Sequence, residues 1–245
     1  MSKPKPLPLI ACFHGSGSNA SIYEIQCSFL TSLLSDTFRL EFFEGPFTRP
    51  AGPGVLPAFE GYGPYKSWFD TEGSNKGDGS GFGNGGEDGV RRVWGLMEER
   101  LKERRREEQE EWVGVMGFSQ GSRVAGGLLL DQQRRGVGGL DGEIEVRFGV
   151  CCMGGGAPME AETGLKMENP DTVVRIPTLH LHGLKDEYLS LGRDQLARHY
   201  DSKTASLYEI NYHHAMPWVK AESEELARRI KELYNKTKTQ AEKSR

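Results

Sequence analysis

Residues 112–130 read WVGVMGFSQGSRVAGGLLL. The first seven are an unbroken apolar run, which suits a strand buried on both faces, and the residues after the turn continue as an apolar helix. Between them Gly117-Phe118-Ser119-Gln120-Gly121 fits G-x-S-x-G in the strand–turn–helix setting that this motif requires. A serine on so sharp a turn holds a strained backbone, and side chains two residues before and after it would collide. Glycines at 117 and 121 remove both clashes. Ser119 is thereby a candidate nucleophile, with its Oγ clear of the sheet. The plainer reading makes it an ordinary helix N-cap.

Outward from this stretch, apolar runs that suit buried parallel strands occur at Leu7 to Phe13, Phe38 to Phe43, Val146 to Met153, Thr178 to Leu181 and, more weakly, Ser206 to Ile210. Helical patterns fall between them. The clearest starts at Val90, where Val90, Val93, Trp94, Met97 and Leu101 form one apolar stripe and Arg104 to Glu111 form a solvated, charged end. Strands alternating with helices predict an α/β fold: a mostly parallel, doubly wound sheet with helices on both faces and ligands beyond the carboxyl ends of the strands.

The 245 residues suit one domain over residues 1–234, followed by a polar tail, NKTKTQAEKSR, expected to fray. A net charge of −4 with basic and acidic residues interspersed argues against a nucleic-acid partner. No stretch approaches the ~18 consecutive apolar residues that span a bilayer, and the start reads as the lead into a strand rather than a signal peptide. The four cysteines lack C-x-x-C spacing, and adjacent Cys151 and Cys152 should face opposite sides of a strand. They read as reduced core thiols of a cytoplasmic protein.

Residues 45–89 break the rhythm. Their first half holds Phe47, Phe59, Tyr62, Tyr65, Trp68 and Phe69, and their second half is rich in glycine. A loop of this length is commonly functional, so the insert is a candidate lid or pocket wall, with a surface insert whose aromatics cap the sheet as the competing reading.

The first strand leads into CFHGSGSNA, residues 12–20. Its Gly15-Ser16-Gly17-Ser18-Asn19-Ala20 matches the dinucleotide fingerprint G-x-G-x-x-A, with Glu44 as a candidate ribose ligand. The same backbone donors suit an oxyanion equally well.

A serine nucleophile needs a base and an acid that orients it, in the chain order Ser, Asp, His for this fold class. Asp186 follows the strand in RIPTLHLHGLKDEY. His213 and His214 share the loop NYHHAMP, and position alone does not choose between them. Of the other four histidines, His14 should shape the glycine turn and His199 lie on a surface helix. His180 and His182 share a strand face, where packing accounts for them better than a metal does, because no third ligand stands at suitable spacing.

Taken together, FHGSGSNA, FFEGP, GPYKSWF, GFSQG, HLHGLKDEY and HHAMP resemble the fungal serine hydrolase (FSH) family of α/β-hydrolases, which includes polyketide-releasing thioesterases. The resemblance implies an α/β-hydrolase fold and a serine hydrolase without cofactor or metal. Its His-x-x-Pro pattern selects His214, with Pro217, as base and places the acid at Asp186. The oxyanion donors it implies are the amides of Gln120 and Ser16. His213 stands where the family commonly has glycine, and Ser122 and Arg123 where it has small apolar residues. The expected substrate is an acyl ester or thioester, with Tyr65, Trp68 and Phe69 lining the acyl pocket. GPYKSWF tilts the choice toward a thioester, such as a polyketide chain on the acyl carrier domain of its synthase in secondary metabolism. A small-ester carboxylesterase, an NAD-linked oxidoreductase and a non-catalytic binding module are the rival readings.

Overall fold

The computed structural model describes residues 6–69, 89–104, 110–159 and 172–243. The glycine-rich part of the insert and the charged run at 105–109 lie outside them. Six strands, β1 (Leu9–Phe13), β2 (Arg39–Phe43), β5 (Trp112–Phe118), β6 (Phe148–Cys152), β7 (Thr178–Gly183) and β8 (Ala205–Ile210), form one sheet in the order β2-β1-β5-β6-β7-β8. Every neighbouring pair is parallel. Within the insert, β3 (Phe47–Thr48) and β4 (Lys66–Ser67) make a separate antiparallel pair.

All six expected strands are present; three begin later, β2 by a single residue, and β1 and β6 for identifiable reasons. Pro8 cannot donate to a ladder, so its carbonyl accepts from Arg39 N at 3.0 Å and β1 starts after it. Val146 has its N–H and C=O bonded to the side-chain amide of Gln132, at 2.8 Å each, in place of a strand partner.

Helices α1 (Ala20–Gln26), α2 (Ser28–Leu34) and α6 (Lys220–Lys243) cover one face, while α3 (Gly89–Arg104), α4 (Gln120–Arg135) and α5 (Leu189–His199) cover the other. The sheet separates two apolar clusters. Phe13, Trp94, Leu128, Cys151 and Trp68 belong to the α3–α4 side, and Cys12, Tyr23, Phe148, Cys152 and Ile230 to the α6 side. Cys151 and Cys152 thus face opposite layers, as their adjacency on a strand requires. All four cysteines are free and buried, and burial pushes the Cys151 thiol up to about 12.

The expected frayed tail is corrected, because α6 continues past Asn235 to Lys243. Tyr234 packs edge-on against Phe38 with ring centres 4.9 Å apart, and buried Thr237 bonds back to Tyr234 O. Once that turn is anchored, the alanine, glutamate, glutamine and lysine that follow have high helix propensity.

Candidate active site

Strand order reverses between β1 and β5, so the turn after β1 and the turn after β5 meet at one crevice beyond the carboxyl ends. Ser119 occupies the second turn with φ 51° and ψ −118°, a conformation that costs a non-glycine residue on the order of 1–3 kcal/mol. A Cβ at Gly117 would sit 2.0 Å from Gly121 O, and one at Gly121 would sit 2.0 Å from Phe13 O, so both glycines are sterically required. The elbow is over-determined by its surroundings. Ser119 N donates to Cys152 O at 2.8 Å, and Ser119 O accepts from Ser122 N at 3.0 Å and Ser122 Oγ at 2.7 Å. Gln195 Nε2 in turn donates to Ser122 Oγ at 3.2 Å.

Asp186 follows β7, in a turn closed by its own N–H on Gly183 O at 3.1 Å. One carboxylate oxygen accepts from Tyr188 N at 2.8 Å, and the other meets His214 Nδ1 at 2.8 Å. That bond assigns the proton to Nδ1 and leaves Nε2 as a lone-pair acceptor. The imidazole of His214 lies between Phe118 and Tyr188, each ring centre 5.0 Å away. Since Phe118 precedes Ser119 in the chain, the imidazole packs against the elbow itself. His213 points away: it is exposed, parallel to Tyr212 at 5.7 Å and tilted against exposed Trp218 at 5.4 Å. The structure therefore separates two histidines that spacing could not.

The turn after β1 is anchored by His14, which is fully buried. Its Nε2 accepts from Gly45 N at 3.0 Å, which fixes the proton on Nδ1 for donation to Gly15 O at 2.7 Å. Burial pulls its pKa down to about 4, so the ring stays neutral. The amides a pyrophosphate needs are already occupied: Gly17 N donates to Lys66 O at 2.8 Å, Ala20 N to Glu44 Oε2 at 2.9 Å and Ile22 N to Asn19 Oδ1 at 2.9 Å. Glu44, the candidate ribose ligand, caps α1 and sets a negative charge where a phosphate would lie. The dinucleotide reading is overturned on these grounds. Among the described residues the amides of Ser16 and Gln120 meet no protein acceptor. Gly15 brings the two turns together, since a Cβ there would be 3.3 Å from Ser119 Cβ.

The described half of the insert clamps these turns. Lys66 N donates to Ser18 O at 2.6 Å and Gly52 N to Gly17 O at 2.9 Å. Trp68 N donates to Gln120 Oε1 at 3.0 Å, and Trp68 Nε1 donates to His14 O at 2.9 Å. Trp68 is 1% exposed, edge-on to Phe13 at 5.4 Å, and Phe69 is buried under the Arg123 guanidinium, 4.2 Å from its ring centre. The expectation that Trp68 and Phe69 line an acyl pocket is corrected: their surfaces are taken up by the core. Tyr65, half-buried, donates its hydroxyl to Phe59 O at 2.8 Å, which steadies the insert. His180 is likewise a packing residue, bonded to Thr178 Oγ1 at 3.1 Å with its ring 4.4 Å from that of Tyr200. Burial lowers its pKa to about 3.

A serine on a strained strand-to-helix turn after β5, and an Asp–His pair on the loops after β7 and β8, all at the carboxyl ends of one parallel sheet, put the molecule in the α/β-hydrolase class. The model of the serine hydrolase (FSH1) family matches residues 2–226, and the chain belongs to that family. Among curated relatives, a probable esterase of Aspergillus niger, azaC, is 33% identical over 234 residues, covering 94% of this chain and 87% of that one. Esterase mlcF of Penicillium citrinum is 31% identical over 250 residues, covering 97% and 94%. Among solved structures, acyl-protein thioesterase 2 of Zea mays superposes with a TM-score of 0.57 at 17% identity over 96% of each chain. Arabidopsis thaliana SOBER1 gives 0.55 at 17%, over 95% and 99%. These two likenesses establish the fold alone. Family and relatives make the chain a serine hydrolase.

Proposed function

We propose that the protein hydrolyses an acyl ester or thioester through an acyl-enzyme on Ser119, with His214 as base and Asp186 as its orienting acid. The observation that carries this is the 2.8 Å bond from His214 Nδ1 to Asp186, made where Phe118 packs the same imidazole against the strained Ser119 turn. His214 Nε2 takes the Ser119 hydroxyl proton as Oγ bonds to the carbonyl carbon. The carbonyl electrons move onto oxygen, which accepts from the amides of Gln120 and Ser16. Collapse expels the alkoxide or thiolate, which receives the proton from His214. Water then repeats the sequence and frees the acid and Ser119. Asp186 stays ionised throughout and holds the imidazole tautomer.

The fungal relatives named as esterases support an ester or thioester substrate. The resemblance to polyketide-releasing members adds a carrier-bound acyl thioester as the specific candidate. Four buried free thiols suit a reducing, cytoplasmic setting. A neutral fluorophosphonate should label Ser119 in the wild type and not in Ser119→Ala, and folded wild-type protein that resists labelling would overturn the hydrolase mechanism. Turnover of matched esters, N-acetylcysteamine thioesters and thioesters on a phosphopantetheinylated carrier domain then ranks the leaving groups.

A further inference from the structure

We propose that Arg49 forms an anion subsite beside the scissile carbonyl, selecting substrates that carry a carboxylate or phosphate close to the reacting bond. The inference rests on the reading of Ser119 as nucleophile and Ser16 as oxyanion donor. Arg49 sits after β3, fixed by its own N–H on Tyr65 O at 3.0 Å, and its Nη1 donates to Ser16 Oγ. Ser16 adjoins Gly15, where an added Cβ would come within 3.3 Å of Ser119 Cβ, so the guanidinium is linked through one serine to the turn packed against Ser119.

Its electrostatic situation differs from that of the structural arginines. Arg39, Arg100, Arg135 and Arg147 each meet a carboxylate at 2.6–3.1 Å. Arg49 is half-buried, its side-chain partner is a neutral hydroxyl, and its Nε is shielded from solvent with no acceptor. No carboxylate pairs with it among the described residues. A guanidinium cannot shed its proton, and a partly desolvated cation without a counter-charge is unfavourable. An incoming anion relieves that cost, and the planar fork matches a carboxylate or phosphate in bidentate geometry. Such an anion could belong to the acyl chain or to the phosphates of a pantetheine-type leaving group. Both present the same charged oxygens.

The test uses the full chain as wild type, Arg49→Lys, Arg49→Gln and Arg49→Glu. One substrate pair is mono-p-nitrophenyl glutarate and its methyl ester; the other is acetyl-coenzyme A and acetyl-N-acetylcysteamine. In at least one pair, the charged-to-neutral ratio of kcat/KM should fall about tenfold to a hundredfold in Arg49→Gln, recover in part in Arg49→Lys and drop further in Arg49→Glu. The pair that responds identifies the source of the anion. Unchanged ratios in both pairs overturn the proposal. So do equal losses on charged and neutral members, which would make Arg49 a positioning residue for Ser16. If Arg49→Gln does not fold, the ratios in Arg49→Lys decide, because lysine keeps the charge and loses the fork. Folded protein that neither turns over substrate nor takes up fluorophosphonate would defeat the Ser119 reading instead. Calorimetric binding of glutarate and coenzyme A would then judge Arg49 separately, with a tenfold weakening in Arg49→Gln in support and equal affinity against.

Discussion

Trp68→Ala tests whether the insert is built into the core or shapes a substrate pocket. The indole is 1% exposed, packs edge-on against Phe13 and donates to His14 O at 2.9 Å. Truncating a tryptophan so placed costs about 3–5 kcal/mol. For a domain of this size each kcal/mol corresponds to about 2–4 °C, so the melting temperature should fall by roughly 6–20 °C. Trp68→Phe keeps one aromatic ring but loses part of the indole's volume together with its N–H, and leaving His14 O without its donor alone costs about 1–3 kcal/mol. Since the same residue braces the turn that carries Ser16 and, through its amide, the side chain of Gln120, both variants should lose activity evenly on short and long acyl chains. Thermal unfolding is measured beside kcat/KM for an acetyl and a decanoyl thioester. A Trp68→Ala protein that melts within ~2 °C of wild type and loses only decanoyl turnover would refute the core assignment.

Ser119→Ala should fold normally and lose on the order of 10⁶ in kcat; retention of a tenth of turnover would displace the nucleophile. His214→Ala should be nearly as severe and His213→Ala mild, since His213 stacks on Tyr212 at the surface; reversed results in the same assay would exchange their roles. Asp186→Asn should cost on the order of 10⁴ in kcat by favouring the wrong tautomer, and a loss below tenfold would require another acid. Acid should destabilise the fold through His14 and His180, which stay neutral when buried, with pKa values lowered to about 4 and about 3. Between those values and the ordinary 6.5 the unfolded chain binds more protons, so stability falls as pH drops below 6.5 and levels off below the folded values. The span for His14 is on the order of 3 kcal/mol. Denaturant midpoints that stay flat from pH 6.5 to 4.5 would contradict the buried neutral state.

Much of the fold is legible because its information is local. Buried parallel strands are continuous apolar runs, so all six could be found, whereas their first residues depend on remote partners such as Gln132 for Val146. The Ser119 elbow is legible for the same reason: its steric demand falls on glycines two residues either side. The choice between His213 and His214 is not local. It depends on which imidazole meets a carboxylate 28 positions away, while its neighbour finds an aromatic surface. Trp68 shows the limit most clearly. Aromatic residues in an insert satisfy a pocket wall and a core plug alike, and the decision lies in an indole bond spanning 54 positions. Arg49 on Ser16 and Gln195 on Ser122 span 33 and 73 positions, and neither leaves any periodic trace in the chain.

The turn 12–20 shows why a phosphate-binding fingerprint and an oxyanion loop look alike in sequence. Both need glycines after a parallel strand and unsatisfied amides at a helix start. What distinguishes them is which amides the rest of the molecule has already engaged. Here Glu44 and Asn19 take the donors at the start of α1, and Lys66 takes Gly17 N, so a pyrophosphate would find neither free amides nor a favourable field. Among the described residues the amides of Ser16 and Gln120 are without a protein acceptor, on the two turns that Trp68 ties together through His14 O and Gln120 Oε1. The insert that interrupts the strand–helix rhythm therefore shares with Glu44 and Asn19 in fixing which amides of the turn stay open. It engages Gly17 N, one of the donors a cofactor would need, and braces the two turns whose amides the proposed tetrahedral intermediate would use.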